Sequence, residues 1–382
     1  MTLLASLALA LAACTSTASP SASSPAGGGA SSAPSSAPSA AASGGAGGGA
    51  VDVEKSCPTP DAEKAAAAVD TAKFKTDGPW TLGVSAGYLS NAWVAFNNAY
   101  VSYGASLEPR YTSVVRSDAG FDVNKQVADI EDMITKNVSG IIYWPVDNGA
   151  LSTVLQKAEA AGIPTVNVAN GFSDQAGITA NAQIDNYING RTAAAKLVES
   201  LGGKGEIVSV LPIAGTNSAT LQDAALKCVL GLYPDIKLLD TQNGDWDTAK
   251  SKTITEAWLQ RFPKIDGVYS PSGQMSLGVA EAFDEAGRMD EVTFSPADEY
   301  NGWLKWIAAH PDKNSGLSTF PTSVGKTAVE VMTGILDGKA TTKGTWAGAE
   351  YVAPDAAAKL ASPERPDDWW PNDLPDSFLP SK

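Results

Sequence analysis

The stretch from Trp80 to Trp93 carries side chains that could bind a small polyol. Residues 81–86 form an apolar run that predicts a buried strand, and Asn91 is placed to cap the helix that follows. In an open α/β sheet, ligands bind beyond the carboxyl ends of the strands, next to helix N-termini. Asn91 offers an amide for hydroxyl groups and Trp93 an aromatic face for C–H groups, with a core position as the alternative for Trp93.

The chain offers little for catalysis. Its single histidine, His310, precedes Pro311 at an expected helix end, and one histidine excludes most histidine-dependent triads and metal clusters. Nucleophile-elbow, HExxH, P-loop and strand-associated GxGxxG motifs are absent from the sequence, and no spacing among its acidic residues supports a glycosidase pair. We therefore expect neither an enzyme nor a cofactor. A net charge of −15 without a basic stripe argues against nucleic acid as a partner.

Strands and helices alternate regularly from Thr81 onward. They form two arrays of similar size, one before about Gln183 and one after it. Such alternation predicts an α/β fold in which parallel strands are joined by right-handed crossovers. The composition, 43% hydrophobic and 18% charged, suits a globular protein.

The N-terminal region has the pattern of an exported lipoprotein. Residues 1–14 are an apolar signal-peptide run ending in Leu-Ala-Ala-Cys, which resembles a bacterial lipobox with Cys14 as the lipidated residue. No Lys or Arg precedes Cys14, which indicates a translation start further upstream. A plain secretory signal is the alternative. Residues 15–50, almost wholly Ser, Ala, Gly and Pro, predict a disordered tether.

Residues 51–78 form an extension before the first strand, with a short helix expected at residues 62–73. Cys57 lies in this extension, and Cys228 is the one other cysteine after the lipobox. Outside the cell these two residues could form a disulfide. Cys228 also shares an apolar helix face with neighbouring leucines, so a buried free thiol is the alternative. Residues 339–382 are rich in Pro, Asp and Trp, and their fold is not assigned from sequence.

Seven segments, in their order and spacing, resemble the ribose/galactose-type periplasmic sugar-binding proteins of ABC importers. The segments are GVSAGYLSNAWVAFNNAY, KQVADIEDMITKNVSGIIYWPVDNGAL, AAGIPTV, GGKGEIVSVLPIAGTNSA, YPDIKLLDTQNGDWDTAKS, FPKIDGVYSPSGQMSLGVAEAF and FPTSVGKTAVEVM. The resemblance implies the type I periplasmic-binding-protein fold, in which a three-strand hinge joins two Rossmann-like lobes that close over the ligand. It places the N-lobe at 79–182 plus 320–338 and the C-lobe at 183–319, with the third crossover shortly after Gly338.

The same resemblance implies a set of ligand-binding residues. Asn91, Trp93, Trp246 and Asp298 match family positions that contact the sugar, although Asp298 could instead cap the following helix. At other positions the chain departs from the ribose binders, which carry charged or amide groups there. These departing positions are Ala169-Asn170, Gln222, Ser272 and Thr319. Trp144 is a further aromatic candidate for the ligand site. The resemblance therefore implies a more aromatic and less charged pocket.

By this resemblance the protein is an extracytoplasmic substrate-binding lipoprotein, anchored to the outer face of the cytoplasmic membrane. It would bind a sugar or sugar-like molecule by hinge closure and present it, as a monomer, to the permease of an ABC importer. Some relatives carry a calcium loop, but no DxDxNG-type run occurs in this sequence, so we expect no metal. Two alternatives stay open: a surface sensor for a chemoreceptor or sensor kinase, and a binder of a nonsugar ring such as a nucleoside.

Overall fold

The computed structural model describes residues 51–169 and 171–380. The expected leader and tether, Cys14 and Asn170 lie outside the described residues. In the first part of the chain the elements are α1 (Val53–Ser56), α2 (Ala62–Ala65), β1 (Ala68–Val69), β2 (Trp80–Ala86), α3 (Ala92–Ser106), β3 (Tyr111–Asp118), α4 (Val123–Thr135), β4 (Gly140–Trp144), α5 (Asn148–Ala160), β5 (Thr165–Val168) and β6 (Ala180–Gln183). Within the described residues, no helix is both long enough and apolar enough to cross a membrane.

A second series of strands and helices follows. Its elements are α6 (Asn186–Ser200), β7 (Gly205–Leu211), α7 (Asn217–Gly231), β8 (Ile236–Asn243), α8 (Thr248–Arg261), β9 (Gly267–Tyr269), α9 (Gly273–Glu285), β10 (Thr293–Phe294), α10 (Asn301–Ala309), β11 (Leu317–Ser318), α11 (Val324–Leu336), β12 (Thr341–Thr342), β13 (Gly344–Trp346), β14 (Tyr351–Val352) and α12 (Pro354–Ala357). The regular alternation of strands and helices predicted from Thr81 onward is present in the structure.

The first lobe is built on a six-stranded parallel sheet with the order β13-β6-β5-β4-β2-β3. Successive residues of a strand point to opposite faces of the sheet, so both faces need a cover. Ile142 packs into the cluster with Val101 of α3 and Met332 of α11. Its neighbour Ile141 packs into the opposite cluster with α4 and α5.

The second lobe repeats this plan on a four-stranded parallel sheet with the order β10-β9-β7-β8. Val208 of β7 packs with residues of α9 and α10, among them Phe283 and Trp303. The preceding residue, Ile207, packs with α6 and α7 on the other face. The prediction of two α/β lobes with parallel strands is confirmed.

The chain passes between the two sheets three times. The first passage lies between β6 and α6, and the second between β11 and α11. The third lies at residues 347–350, between β13 and β14, rather than directly after Gly338. This later position arises because β13 first adds an edge strand to the first sheet beside β6. Two of the passages lie side by side, since β11 pairs with β14. The Thr319 backbone N–H donates to the Glu350 carbonyl oxygen, and the Thr319 hydroxyl accepts the Glu350 backbone N–H.

The N-terminal extension contacts both lobes. The helix expected at residues 62–73 is wrong: α2 ends at Ala65, because the chain then turns to pair β1 with β12 of the first lobe. On the second lobe, Cys57 forms a disulfide with Cys228, and Arg191 donates to the Cys57 carbonyl oxygen at 2.9 Å. The free-thiol alternative for Cys228 therefore does not hold.

The C-terminal tail, unassigned from the sequence, also has a defined course. After β14, α12 packs against α10, and the chain continues to residue 380 with Trp370 and Leu374 buried in the second-lobe cluster. Its last described turn, at Asp376–Phe378, lies against α3 of the first lobe.

Candidate functional site

A cleft opens at the carboxyl ends of the strands of both sheets, and its empty space, counted out into the open solvent, is about 830 Å³. This is the edge at which open α/β sheets bind ligands. Residues from both lobes and from the C-terminal tail line it. They are Tyr88, Asn91, Trp93, Val94, Trp144, Pro145, Val168, Ala169, Ser218, Gln222, Trp246, Ser272, Gln274, Asp298, Phe320 and Trp370.

The loop after β2 has the structure predicted for it. Asn91 is the N-cap of α3 and accepts a hydrogen bond from the backbone N–H of Val94 at 3.3 Å. Its capping oxygen is therefore occupied, and its amide nitrogen is the group available to a ligand. The indole N–H of Trp93 donates to the carbonyl oxygen of Phe320 at 2.8 Å. This bond fixes the Trp93 ring against the second passage between the lobes.

Trp144 ends β4, and a buried glutamine holds the chain that follows it. Gln126 donates to the Trp144 carbonyl oxygen at 2.7 Å and accepts from the backbone N–H of Val146 at 2.8 Å. The Trp144 indole N–H is itself buried and has no hydrogen-bond partner among the described residues. A buried donor without a partner is costly unless a ligand or water pairs with it. Trp144 thus lines the cleft and also carries a buried donor without a partner among the described residues.

Trp246 is brought into the cleft by a loop with an unusual backbone. Asp245 and Trp246 both have positive φ angles, of 57° and 54°. Residues other than glycine rarely adopt this conformation, and the cost is of order 1–3 kcal/mol each. An ion pair between Lys250 and Asp245 and the N-cap bond of Asp247 to Lys250 hold the loop. Such strain is typical of functional sites.

Gln222 reaches the cleft from α7 as a buried side chain. Its amide nitrogen donates to the Asn189 side-chain oxygen at 2.9 Å, so its amide oxygen is the free group. That oxygen is buried and has no partner among the described residues. Gln222 therefore lines the second-lobe side of the cleft and also carries a buried acceptor without a partner among the described residues.

Asp298 is the one carboxylate among the described residues that line the cleft, which also include no Lys, Arg or His. One of its oxygens accepts the backbone N–H groups of Gly273 at 2.8 Å and Tyr300 at 3.4 Å. Burial raises the pKa of Asp298 to about 7, although these bonds and the Ser272 hydroxyl oppose the rise. Asp298 thus lies at the cleft wall. The alternative prediction, that it caps the following helix, is wrong, because the N-cap of α10 is Tyr300 without a side-chain bond and Asp298 instead accepts the first N–H of the preceding helix, α9.

A second buried carboxyl follows in the chain. Glu299 accepts the backbone N–H of Phe320 at 2.7 Å, which joins the second lobe to the passage that enters α11. Burial raises the pKa of Glu299 to about 8, and the adjacent charge of Asp298 adds to the rise. Glu299 therefore belongs to the hinge and not to the cleft lining.

The structure brings most predicted site residues together. Asn91, Trp93, Trp144, Gln222, Trp246, Ser272 and Asp298 all line the cleft. Thr319 does not line it, because its backbone and hydroxyl pair with Glu350 and the next residue, Phe320, turns inward instead. Three aromatic residues that sequence reasoning missed, Tyr88, Phe320 and Trp370, complete the wall. For Tyr88 the signal was available, since it directly follows Gly87 at the end of β2.

The lining combines six aromatic rings with a few hydrogen-bonding groups and a single carboxylate. Aromatic faces pack against the C–H groups of a ring, and the free donors and acceptors suit hydroxyl groups. Two parallel-sheet lobes with such a cleft at their strand ends define a two-lobed solute-binding fold.

Comparisons with known proteins name the family. A family model described as "Periplasmic binding protein domain" matches residues 82–340. The chain belongs to this family, in its type I, sugar-binding branch. It is 26% identical over 266 residues to the ribose import binding protein RbsB of Bacillus subtilis, covering 68% of this chain and 83% of that protein.

Solved structures agree on the fold. A solute-binding protein of an ABC transporter from Bacillus halodurans with bound myo-inositol has a TM-score of 0.64 at 20% identity, covering 74% of this chain and 98% of that one. A fructose-binding periplasmic domain of a hybrid two-component system has a TM-score of 0.63 at 25% identity, covering 74% and 93%. Members of the family are extracytoplasmic substrate-binding proteins rather than enzymes.

Proposed function

We propose that the protein is the substrate-binding component of an ABC importer and that it captures a sugar or sugar-like ring between its lobes. The single observation that carries this proposal is the cleft lined by aromatic rings and hydroxyl-binding groups in a chain of the sugar-binding branch. Hinge bending about the three passages would close the lobes over the ligand. Closure would give partners to the free Trp144 N–H and Gln222 oxygen, which is a physical reason for the closed form to be stable.

The charge of the lining narrows the class of ligand. Asp298 lies at the wall, and the described lining supplies no cationic side chain to balance an anion. An anionic ligand would therefore find no cationic partner, and Asp298 would repel it as the pH rises through about 7 and this carboxyl becomes charged. We infer that the ligand is a neutral or amine-bearing ring with several hydroxyl groups, and that sugar phosphates are rejected.

The proposal also covers the location of the protein and its partner in the membrane. A lipid on Cys14 and the tether of residues 15–50 would hold the body at the outer face of the cytoplasmic membrane. The body would act as a monomer that presents its closed form to a permease. The ABC importers of this family all contain such a permease.

A second candidate function is that of a surface sensor. It is favoured by one specific observation, the likeness to the fructose-binding periplasmic domain of a hybrid two-component system. In that case the closed form would be read by a chemoreceptor or a sensor kinase. Reconstitution with a permease encoded by a neighbouring gene distinguishes the importer component from the sensor. Only an importer component stimulates ATP hydrolysis by the transporter when ligand is present.

A thermal-shift panel on the full chain tests the proposal. The panel contains D-ribose, D-allose, xylitol and myo-inositol, with ribose 5-phosphate as the anion and adenosine as a nonsugar ring. A ligand at a hundredfold excess over Kd adds about 2.7 kcal/mol to the free energy of unfolding, which raises the melting temperature.

A shift with a neutral sugar or cyclitol that is lost in Trp246→Ala supports the proposal. Trp346→Ala is the matched control, because Trp346 is an exposed tryptophan outside the cleft. A shift with adenosine alone would move the assignment to nonsugar rings, and a shift with the phosphate would refute the charge argument. A panel without any shift contradicts the proposal.

A further inference from the structure

The last part of the chain, residues 361–380, connects the two lobes by contacts that the three passages do not supply. We call this segment the C-terminal strap. It lies outside residues 82–340, the range that matches the family. The strap follows α12 in the chain, contacts α10 of the second lobe, and has its last described turn against α3 of the first lobe. Its contacts at the two ends differ in kind, and one of its residues lines the cleft between them.

On the second lobe, the strap completes the N-terminus of α10. The first backbone N–H groups of a helix lack partners within the helix. Here Asn301 and Gly302 donate theirs to the carbonyl oxygens of Trp369 at 3.1 Å and Asp367 at 3.0 Å. The fully buried Asn301 side chain also donates to Pro366 and accepts from the Ser362 N–H, both at 2.9 Å. This end is held by a dense set of hydrogen bonds.

On the first lobe, the strap covers aromatic residues of α3. The Tyr100 hydroxyl donates to the Asp373 carboxylate at 2.6 Å and accepts the Asp373 backbone N–H at 3.1 Å. Phe96 packs edge-on against Trp369, with ring centroids 4.9 Å apart. Tyr103 packs in the same way against a phenylalanine at the end of the strap, at 5.4 Å. This end therefore depends on one polar pair and two ring contacts.

These contacts explain the composition of α3, which has apolar residues all around its axis. One face, with Val94, Val101 and Ala105, packs into the first-lobe core. The opposite face carries Phe96 and Tyr100, which are only 4% and 3% exposed because the strap covers them. A helix that is apolar all around needs a partner on each side. The strap is that second partner.

Between its two ends the strap places Trp370 at the cleft. The ring is 7% exposed and packs edge-on against Tyr300, whose backbone N–H contacts the cleft carboxylate Asp298. Trp370 is the one residue in the described cleft lining that comes from the strap. The site is thus bounded by both lobes and by a segment that runs between them.

We propose that the C-terminal strap is part of the ligand site: Trp370 forms a wall against which the ligand ring packs, and the strap holds α3 of the first lobe to α10 of the second. This inference rests on the proposed function. Hinge opening separates α3 from α10, so one end of the strap must release. The α3 end has fewer hydrogen bonds, so the strap stays with the second lobe and the pair of Tyr100 and Asp373 breaks when the cleft opens.

Amide hydrogen exchange on the ligand-free full chain tests the connection. Tyr100→Phe removes one hydroxyl on the first lobe and keeps the ring. If the strap couples the lobes and releases at its α3 end, the amides of Phe378 and Leu379, whose turn lies against α3, exchange faster in this variant, while Asn301 and Gly302 stay protected by the strap carbonyls on the second lobe. Tyr111→Phe is the matched control, because its hydroxyl pairs with Thr333 at 3.1 Å within the first lobe. Equal exchange of the Phe378 and Leu379 amides in the two variants would overturn the coupling.

Calorimetric titration with whichever panel compound shifts the wild type tests the wall. Aromatic packing contributes enough for Trp370→Ala to weaken binding about three- to tenfold, whereas Trp370→Phe restores most of the affinity. Unchanged affinity in Trp370→Ala would refute the proposal that the ligand packs against Trp370.

If the wild type binds no panel compound, the proposed function fails, while the exchange measurement, which needs no ligand, still decides the coupling. Melting curves of both Trp370 variants check that they fold.

Discussion

The buried hinge carboxyl Glu299 makes a sharp prediction about stability and pH. Its pKa is about 8 in the folded protein, against an ordinary value of 4.5, because burial disfavours the charged form. The folded state therefore binds a proton that the unfolded state has already lost between these two values. Stability contributed by Glu299 is full below pH 4.5 and is lost as the pH rises through 8. Glu299→Gln removes this pH dependence because an amide does not titrate. The amide oxygen can still accept the Phe320 N–H, so the hydrogen bond is kept.

The size of the effect follows from the same shift. One pKa unit corresponds to about 1.4 kcal/mol, so a shift from 4.5 to about 8 corresponds to about 5 kcal/mol at most. Relaxation and water penetration lower the cost of burying an ion. We expect Glu299→Gln to be within about 1 kcal/mol of wild type at pH 5 and about 2–4 kcal/mol more stable at pH 8.5.

Urea unfolding at pH 5, 6.5 and 8.5 measures this difference. Glu350→Gln is the control: it makes the same chemical change at an exposed residue of the neighbouring passage, so its difference from wild type stays small at every pH. Parallel stability curves for Glu299→Gln and wild type across this range would refute the reasoning, because they would mean that Glu299 is charged at no cost.

Three further predictions concern the framework of the site. Replacing Cys57 and Cys228 by serine opens a loop of 171 residues, and urea unfolding should show a free energy of unfolding lower by about 2–5 kcal/mol. Dithiothreitol should lower the stability of the wild type by a similar amount and leave that of the variant unchanged. Gln126→Leu leaves the Val146 N–H without its partner and should lower the free energy of unfolding by about 1–3 kcal/mol in the same assay. Ligand affinity should also fall, because the loop after Trp144 moves. Gly325→Ala should lower the melting temperature by several degrees, since an added Cβ would lie 2.1 Å from the α3 backbone; a neutral result would show that α3 and α11 can separate freely.

The lobes and the first-lobe part of the site could be predicted because their signals are local. The N-cap role of Asn91 follows from a polar residue between an apolar strand and an apolar helix, and the structure has that cap. Regular alternation likewise predicts parallel strands joined by helical crossovers, since two parallel strands cannot be joined by a tight turn. Thr319 and Phe320 mark the limit. Which of two adjacent residues turns into the cleft depends on pairing with Glu350, thirty-one positions away, and no local pattern encodes it.

The strap could not be predicted for a related physical reason. Its turns are too short to show a period, and its order depends on bonds such as those from Asn301 to residues 61–65 positions later. One signal was present in a different part of the chain. Phe96, Tyr100 and Tyr103 give α3 a second apolar face, and such a face indicates an unidentified partner.

The edge strand β13 bears on where this domain ends. The family match stops at residue 340, yet the sixth strand of the first sheet begins at Gly344 and pairs with β6 through Gln183. Cutting the chain at the end of the match would expose the backbone edge of β6, which is buried along its whole length. An unpaired apolar edge is a template for association between chains. The folding unit is therefore longer than the homologous unit, and a recombinant protein trimmed to the latter would be prone to aggregate.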